Sequence, residues 1–329
     1  MKLASSVNIG IALGSGAAKG WAHIGVLNGL AKMGVYPNKV AGCSIGALVG
    51  AAYAGEHLVE LEKWVRGFSS WDVLRLMDLS WRKGGLIGGE RVFDAWQDQM
   101  GDVSIEELIR PFTAVATDLY SGQEIWFKEG DLRQAVRASC SMPGMLAPVK
   151  IGQRWLVDGA VVNPIPVSVI RAMDVDVVIA VDLNGQSRNK GAGLPVNMAS
   201  EKPTSAEVVE AKAHSDQGFM DLLGKGREYV SKLTDKLAMA RRSTPSLVAV
   251  MSQSIDILEM RHKRTRLMGD PPDICVVPKI ADIGQMEFHR AEEAIAAGEQ
   301  AVQDVAHLIE AALSPYCDMS CLENTTVLK

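Results

Sequence analysis

Apolar positions in this chain come in short bursts separated by glycine-rich breaks, and the period alternates between strand-like and helix-like runs. Val7 to Leu13 is a short apolar run followed by a Gly-rich break, and it reads as a strand. From Lys19 to Met33, Ala22, Val26, Leu27 and Leu30 recur near helical spacing, and Gly34 stands where a helix-ending glycine is expected. Lys39 to Gly42 reads as the next strand, and the run from Ser44 onwards as a buried helix of small residues. The first 55 residues thus predict strand, loop, helix, strand, turn and helix, the opening of a parallel α/β sheet.

The alternation continues. Glu56 to Met100 reads as helical, with Trp64, Trp71, Trp81 and Trp96 inside it. Pro111 to Thr117 and Gln123 to Phe127 read as a hairpin around Ser121-Gly122, and Asp131 to Ser139 as a short helix. Arg154 to Val157 reads as a strand ending at Asp158, and Val175 to Val181 as another buried strand. Asn184 to Ser205 gathers Gly, Ser, Asn, Lys and Pro and is expected to be a mobile loop. Glu207 to Met268 reads as charged helix, Ile274 to Val277 as a last strand and Glu287 to Leu313 as a long terminal helix. No internal repeat interrupts this pattern of one α/β domain with helical insertions.

Composition narrows the function classes. A net charge of −5, from 34 basic and 39 acidic residues, argues against nucleic acid as a partner, because phosphate neutralisation needs clustered excess Lys and Arg. Five scattered cysteines make no disulfide framework and fit a reducing compartment, and Cys317 with Cys321 is too isolated for zinc. The uncharged stretch Val40 to Gly55 is too short and too Gly/Ala-rich for a span of about 20 apolar residues. Ile9 to Leu13, with Lys2 as the only early cation, makes a poor signal peptide. The expected location is cytoplasmic, with peripheral contact at the inner membrane surface as an option. The first 55 residues contain no Asp or Glu, as suits either a site that stabilises negative charge or a buried core.

Three features carry candidate chemistry. Gly42-Cys43-Ser44-Ile45-Gly46 has the Gly-x-Ser-x-Gly spacing of a nucleophile elbow, between a strand pattern and a helix pattern. Glycines two residues either side let strand and helix pass, and the helix start directs its N–H groups at the serine. Gly14 to Gly20 is a glycine-rich loop between the first strand and helix. It lacks the ribose-binding acid of a dinucleotide turn, and Lys19 is followed by Gly20-Trp21 and not by the Ser or Thr of a P-loop. An oxyanion hole facing Ser44 is its natural use. Asp158-Gly159-Ala160 places an acid at a strand exit, where it is either a general base or a turn cap. His23 reads as a core or surface histidine inside the first helix.

These pieces, in this order, resemble the patatin-like phospholipase family, and most closely its bacterial RssA-type members related to the neuropathy target esterase catalytic domain. Leu13 to Leu27 is similar to the family's glycine-rich opening and Gly42 to Gly46 to its elbow. Ala116 to Leu119, Ser139 to Gly144 and Asp158 to Ala160 continue the series. The resemblance covers residues 7–183 closely, as a catalytic core, and Ile274 to Leu313 more loosely; residues 206–329 are expected to complete the same domain. It implies a three-layer fold, with a mostly parallel central sheet flanked by helices. It also implies a serine acyl hydrolase acting on a lipid or lysolipid ester, with Ser44 as nucleophile, Asp158 as proton acceptor, no metal and no cofactor. The oxyanion hole is expected at Gly16, Ala17 and Lys19. Ser15 and Ala17 break the family's run of glycines, Lys19 stands for its Arg, and the Cβ of Ala17 implies a residue that avoids positive φ. An acyltransferase or thioesterase with the same pair, or a silent regulator, are the alternatives. Trp64, Trp71 and Trp81, in the segment 58–86, are candidates either for membrane contact or for core packing.

Overall fold

The computed structural model describes residues 7–69, 71–72, 85–87, 89–185 and 247–317. The chain divides into two compact units, Met1–Arg188 with Ser254–Lys329, and Asn189–Gln253. Of the second unit, residues 247–253 are described, and they are helical. The expected mobile loop at 184–205 lies outside the described residues from 186 onwards.

The strands are β1 (Ile9–Leu13), β2 (Lys39–Cys43), β3 (Gly85–Ile87), β4 (Phe112–Asp118), β5 (Glu124–Phe127), β6 (Gly144–Leu146), β7 (Val149–Ile151), β8 (Arg154–Asp158), β9 (Val177–Val181) and β10 (Ile274–Val276). The helices are α1 (Ala22–Lys32), α2 (Ile45–Ala54), α3 (Leu58–Arg66), α4 (Glu90–Met100), α5 (Leu132–Ser139), α6 (Val167–Arg171), α7 (Leu247–Gly269), α8 (Ala291–Asp304) and α9 (Ala306–Leu313). Strands β10, β9, β1, β2 and β4 lie side by side and parallel; β5 and β8 then pair with β4, and β7 with β8, all antiparallel.

Side-chain alternation makes the layers. Ile9, Ile11 and Leu13 of β1 join Val177, Ile179 and Val181 of β9 in one core, with the apolar faces of α1, α2 and α8. The intervening Ala12, Val178 and Ala180 meet Val167, Val169 and Ile170 of α6 on the other face. The result is the expected three-layer α/β arrangement around a mostly parallel sheet.

One register detail positions the site. Residues 114 and 115 of β4 pair with both β2 and β5, and residues 116 and 117 with both β5 and β8. So β2 and β8 share the same edge of β4. Cys43 sits opposite Val115 and Asp158 opposite Ala116, which makes β8 take up the edge where β2 ends.

Several elements depart from the sequence reading. The stretch read as helical from Glu56 to Met100 contains β3, which pairs with β6. The first helix begins with a 3-10 turn over Ala17–Trp21. The terminal helix breaks at Val305, whose backbone leaves the helical region at φ −112, ψ 13 and whose N–H bonds back to Val302 O at 3.2 Å. Among the tryptophans, Trp96 is buried, and Trp64 packs edge-on against Phe68, which packs against Trp21. Trp71 is exposed, and Trp81 lies outside the described residues. No helix among the described residues is long and apolar enough to cross a membrane.

Candidate active site

Ser44 stands between the end of β2 and the start of α2 with φ 56 and ψ −126, a region that non-glycine residues rarely occupy. The surrounding glycines make this turn sterically feasible. A Cβ on Gly42 would collide with the backbone of Gly46 and Ala47, and one on Gly46 with the carbonyls of Leu13 and Gly14. The elbow is therefore pressed against both the following helix and the glycine-rich loop. Its N–H donates to Ser139 Oγ at 2.9 Å, and the start of α2, with no acid in its first turn, directs its positive dipole end at the serine.

Asp158 lies within hydrogen-bond reach of Ser44. Ser44 Oγ donates to Asp158 Oδ2 at 2.6 Å, while Asp158 Oδ1 accepts from Ala160 N at 2.8 Å. The carboxylate is 1% exposed, and its backbone is fixed on both sides: Asp158 N donates to Ser141 O at 2.9 Å and Thr117 Oγ1 donates to Asp158 O at 2.8 Å. Burial pushes its pKa up to about 7, against the opposing hydrogen bonds from Ser44 and Ala160. A carboxylate in this state accepts a proton at neutral pH far more readily than an ordinary Asp. A buried guanidinium supports the arrangement, since Arg137 donates to Ser141 Oγ at 2.8 Å and to Ala147 O at 3.1 Å.

The glycine-rich loop lies beside this pair. Ser15 N donates to Pro164 O, Ala18 N to Gln285 O and Lys19 N to Gly16 O. No hydrogen bond among the described residues uses the N–H groups of Gly16 or Ala17. Ala17 has φ 50, so the expectation that its Cβ excludes positive φ is corrected. The left-handed region costs a non-glycine residue about 1–2 kcal/mol, which a tethered loop can bear. Lys19, grouped with these residues in the sequence reading, has its N–H engaged and its Nζ on Asn184 Oδ1 at 3.1 Å.

Other side chains able to act as acid or base have structural partners. His23 is fully buried and donates from Nε2 to Gly14 O at 2.8 Å; burial lowers its pKa to about 4, so it is neutral. His262 Nε2 bonds Val162 O at 2.6 Å, and no histidine among the described residues bonds Ser44 or Asp158. Asp118 accepts from the N–H groups of Tyr120 and Ser121 and from Arg154; Ser121 above all holds its pKa down to about 2. It caps a turn. No group of three or more metal-ligating side chains occurs among the described residues. In the sequence Thr117, Ser139 and Ser141 stand only as parts of the motifs around them. Their support of Ser44 and Asp158 needed the tertiary structure.

Residues 11–170 match the family model described as patatin-like phospholipase. An uncharacterized NTE family protein of Mycobacterium tuberculosis is 34% identical over 89% of this chain and 90% of its own length. The neuropathy target esterase sws of Drosophila melanogaster is 33% identical over 54% of this chain and 13% of its own length. The crystal structure of VipD from Legionella pneumophila aligns with a TM-score of 0.44 at 11% identity, over 95% of this chain and 68% of that one. The chain belongs to the patatin-like phospholipase family, a family of lipid esterases and phospholipases, alongside the NTE family proteins.

Proposed function

We propose that this protein is a serine esterase that cleaves a carboxylic ester of a lipid or lysolipid through an acyl-Ser44 intermediate. The carrying observation is the 2.6 Å hydrogen bond from Ser44 Oγ to a buried Asp158 at a strained strand-to-helix turn. As Ser44 Oγ attacks the ester carbonyl, Asp158 takes its proton, and the carbonyl oxygen becomes an oxyanion held by the N–H groups of Gly16 and Ala17. Collapse breaks the ester bond, and the leaving alkoxide takes the proton from Asp158. Water then gives its proton to Asp158 and attacks the acyl carbon. The fatty acid leaves, and the proton returns to Ser44. Lys19 adds positive charge beside the loop, while the oxyanion relies on backbone donors. Reaching a lipid at an interface calls for peripheral contact with the inner membrane surface, for which exposed Trp71 is a candidate.

The test is labelling by a fluorophosphonate probe together with hydrolysis of a panel of lipid and lysolipid esters. Wild-type protein should be labelled at Ser44 and should release fatty acid. Neither labelling nor turnover in folded protein would sink the reading.

The pH dependence has a definite sign. Asp158 works as a base only when ionised, and its pKa stands at about 7. Thus kcat/KM should be full above that pH and fall about tenfold for each further pH unit below it. A profile flat down to the ordinary carboxylate range would show that Asp158 is not the base.

A further inference from the structure

Gly16 and Ala17 of the glycine-rich loop keep their N–H groups free of hydrogen bonds among the described residues, and the residues on both sides are tied down. Ser15 donates its N–H to Pro164 O at 2.9 Å and its hydroxyl to Glu259 Oε1. Ala18 donates its N–H to Gln285 O at 3.1 Å, and the side-chain amide of Gln285 donates to Asp256 Oδ1 at 2.9 Å. Asp256 and Glu259 are three residues apart on α7, so they lie on one face of that helix. One helix face therefore anchors both flanks of the Gly16-Ala17 pair. The left-handed φ of Ala17 needs such anchoring, because a strained backbone persists only where its surroundings over-determine it.

We infer that Asp256 and Glu259 are positioning residues, which clamp the loop at Ser15 and Ala18 so that the N–H groups of Gly16 and Ala17 stay free for an oxyanion. The inference rests on the esterase reading above and adds the groups that hold its oxyanion loop. Glu259 has a second consequence. Its negative charge raises the pKa of Asp158, in addition to the larger effect of burial. The charged groups around Glu259 are Asp256 and Lys263 on its own helix, Asp182 after β9 and Lys19 on the 3-10 turn; Lys263 is paired with Asp182 at 2.7 Å. Removing the Glu259 charge should therefore ease ionisation of Asp158 and move the acid limb of activity to lower pH.

The experiment is steady-state kinetics of the full chain on a water-soluble p-nitrophenyl ester across pH. Glu259→Ala and Ser15→Ala should each lower kcat by about tenfold with KM changed less than about twofold, because oxyanion donors act mainly in the transition state. Glu259→Gln keeps an oxygen that accepts from Ser15, so it should lose less kcat and yet shift the acid limb to lower pH. Ser15→Ala, which keeps the charge, should not shift it that way. Amide hydrogen exchange over residues 14–20 reads the clamp without turnover and should speed up in both alanine variants. Wild-type kcat in both alanine variants, with an unmoved limb in Glu259→Gln and unchanged exchange, would overturn the clamp and leave the esterase reading intact. An inactive, unlabelled wild type would instead remove the esterase reading, with exchange still deciding whether the clamp exists.

Discussion

Ser44→Ala should lose ester hydrolysis, with kcat/KM down by roughly four orders of magnitude, and Asp158→Asn should fall nearly as far, because residues that act as a unit fail together. Stability should move the other way for the second variant. Asp158 is buried and its pKa is raised from 3.8 to about 7, so the folded state binds a proton that the unfolded state has released between those values. Folding stability from this group is thus greatest at low pH and is lost as pH rises through about 7. At about pH 8, Asp158→Asn, which removes the buried charge, should unfold at a higher temperature than the wild type. The serine offers a parallel contrast, since its φ of 56 is a strain that any Cβ feels. Ser44→Gly should be as inactive as Ser44→Ala but more stable by about 1–2 kcal/mol. Thermal unfolding of the three variants checks these signs. If Asp158→Asn keeps turnover while a His262 substitution abolishes it, a histidine is the base and the proposed pair is wrong.

These opposite signs reflect how the site is assembled, and the sequence disclosed its parts unevenly. Strands β1 and β2, the elbow and the approach to Asp158 were legible because short apolar runs end at glycine or at a single acid, where periodicity is informative. What periodicity cannot reveal is that β8 continues the edge of β4 where β2 stops. That register brings Asp158 next to Ser44 across more than a hundred residues of chain. The resemblance to a family, and not the pattern, gave the pairing in advance. The absence of acids from the first 55 residues misled in one respect, because the carboxylates near the loop come from elsewhere: Asp158, Asp182, Asp256 and Glu259. Glu259 gave no signal at all, as one acid among many on a charged helix. The short elements β3, β6, β7 and α6 were missed for a related reason. Lys150 and Ser168 break up β7 and α6, and β3 and β6 offer two apolar residues after a glycine, so none stands out as an apolar run; they exist because tertiary neighbours complete them.

Gly46→Ala should be among the most damaging single-methyl changes in the chain, and propensity alone predicts the reverse. Replacing a glycine inside a helix by alanine ordinarily stabilises by about 1 kcal/mol. At Gly46, in the first turn of α2, the added carbon would meet the carbonyls of Leu13 and Gly14, which are backbone atoms at the end of β1 and the start of the glycine-rich loop. Neither can move without disturbing the sheet edge or the residues that hold Gly16 and Ala17. The expected loss of stability is about 3 kcal/mol, the upper range for overpacking. Surviving folded protein should lose kcat by about a hundredfold, because a displacement of about 1 Å between nucleophile and oxyanion donors is enough to do so. Gly50, one turn further along the same helix, is the control. A Cβ there would lie 3.1 Å from a methyl of Val40 and 3.3 Å from side-chain atoms of Leu13 and Phe112, all of which can shift. Gly50→Ala should stay within about 1 kcal/mol of wild type, since the propensity gain offsets the tighter packing. Urea unfolding of the two variants, with turnover measured in parallel, separates the cases. If Gly46→Ala is as stable and as active as Gly50→Ala, the elbow is not pressed against the loop, and the site must be held open by something other than this contact.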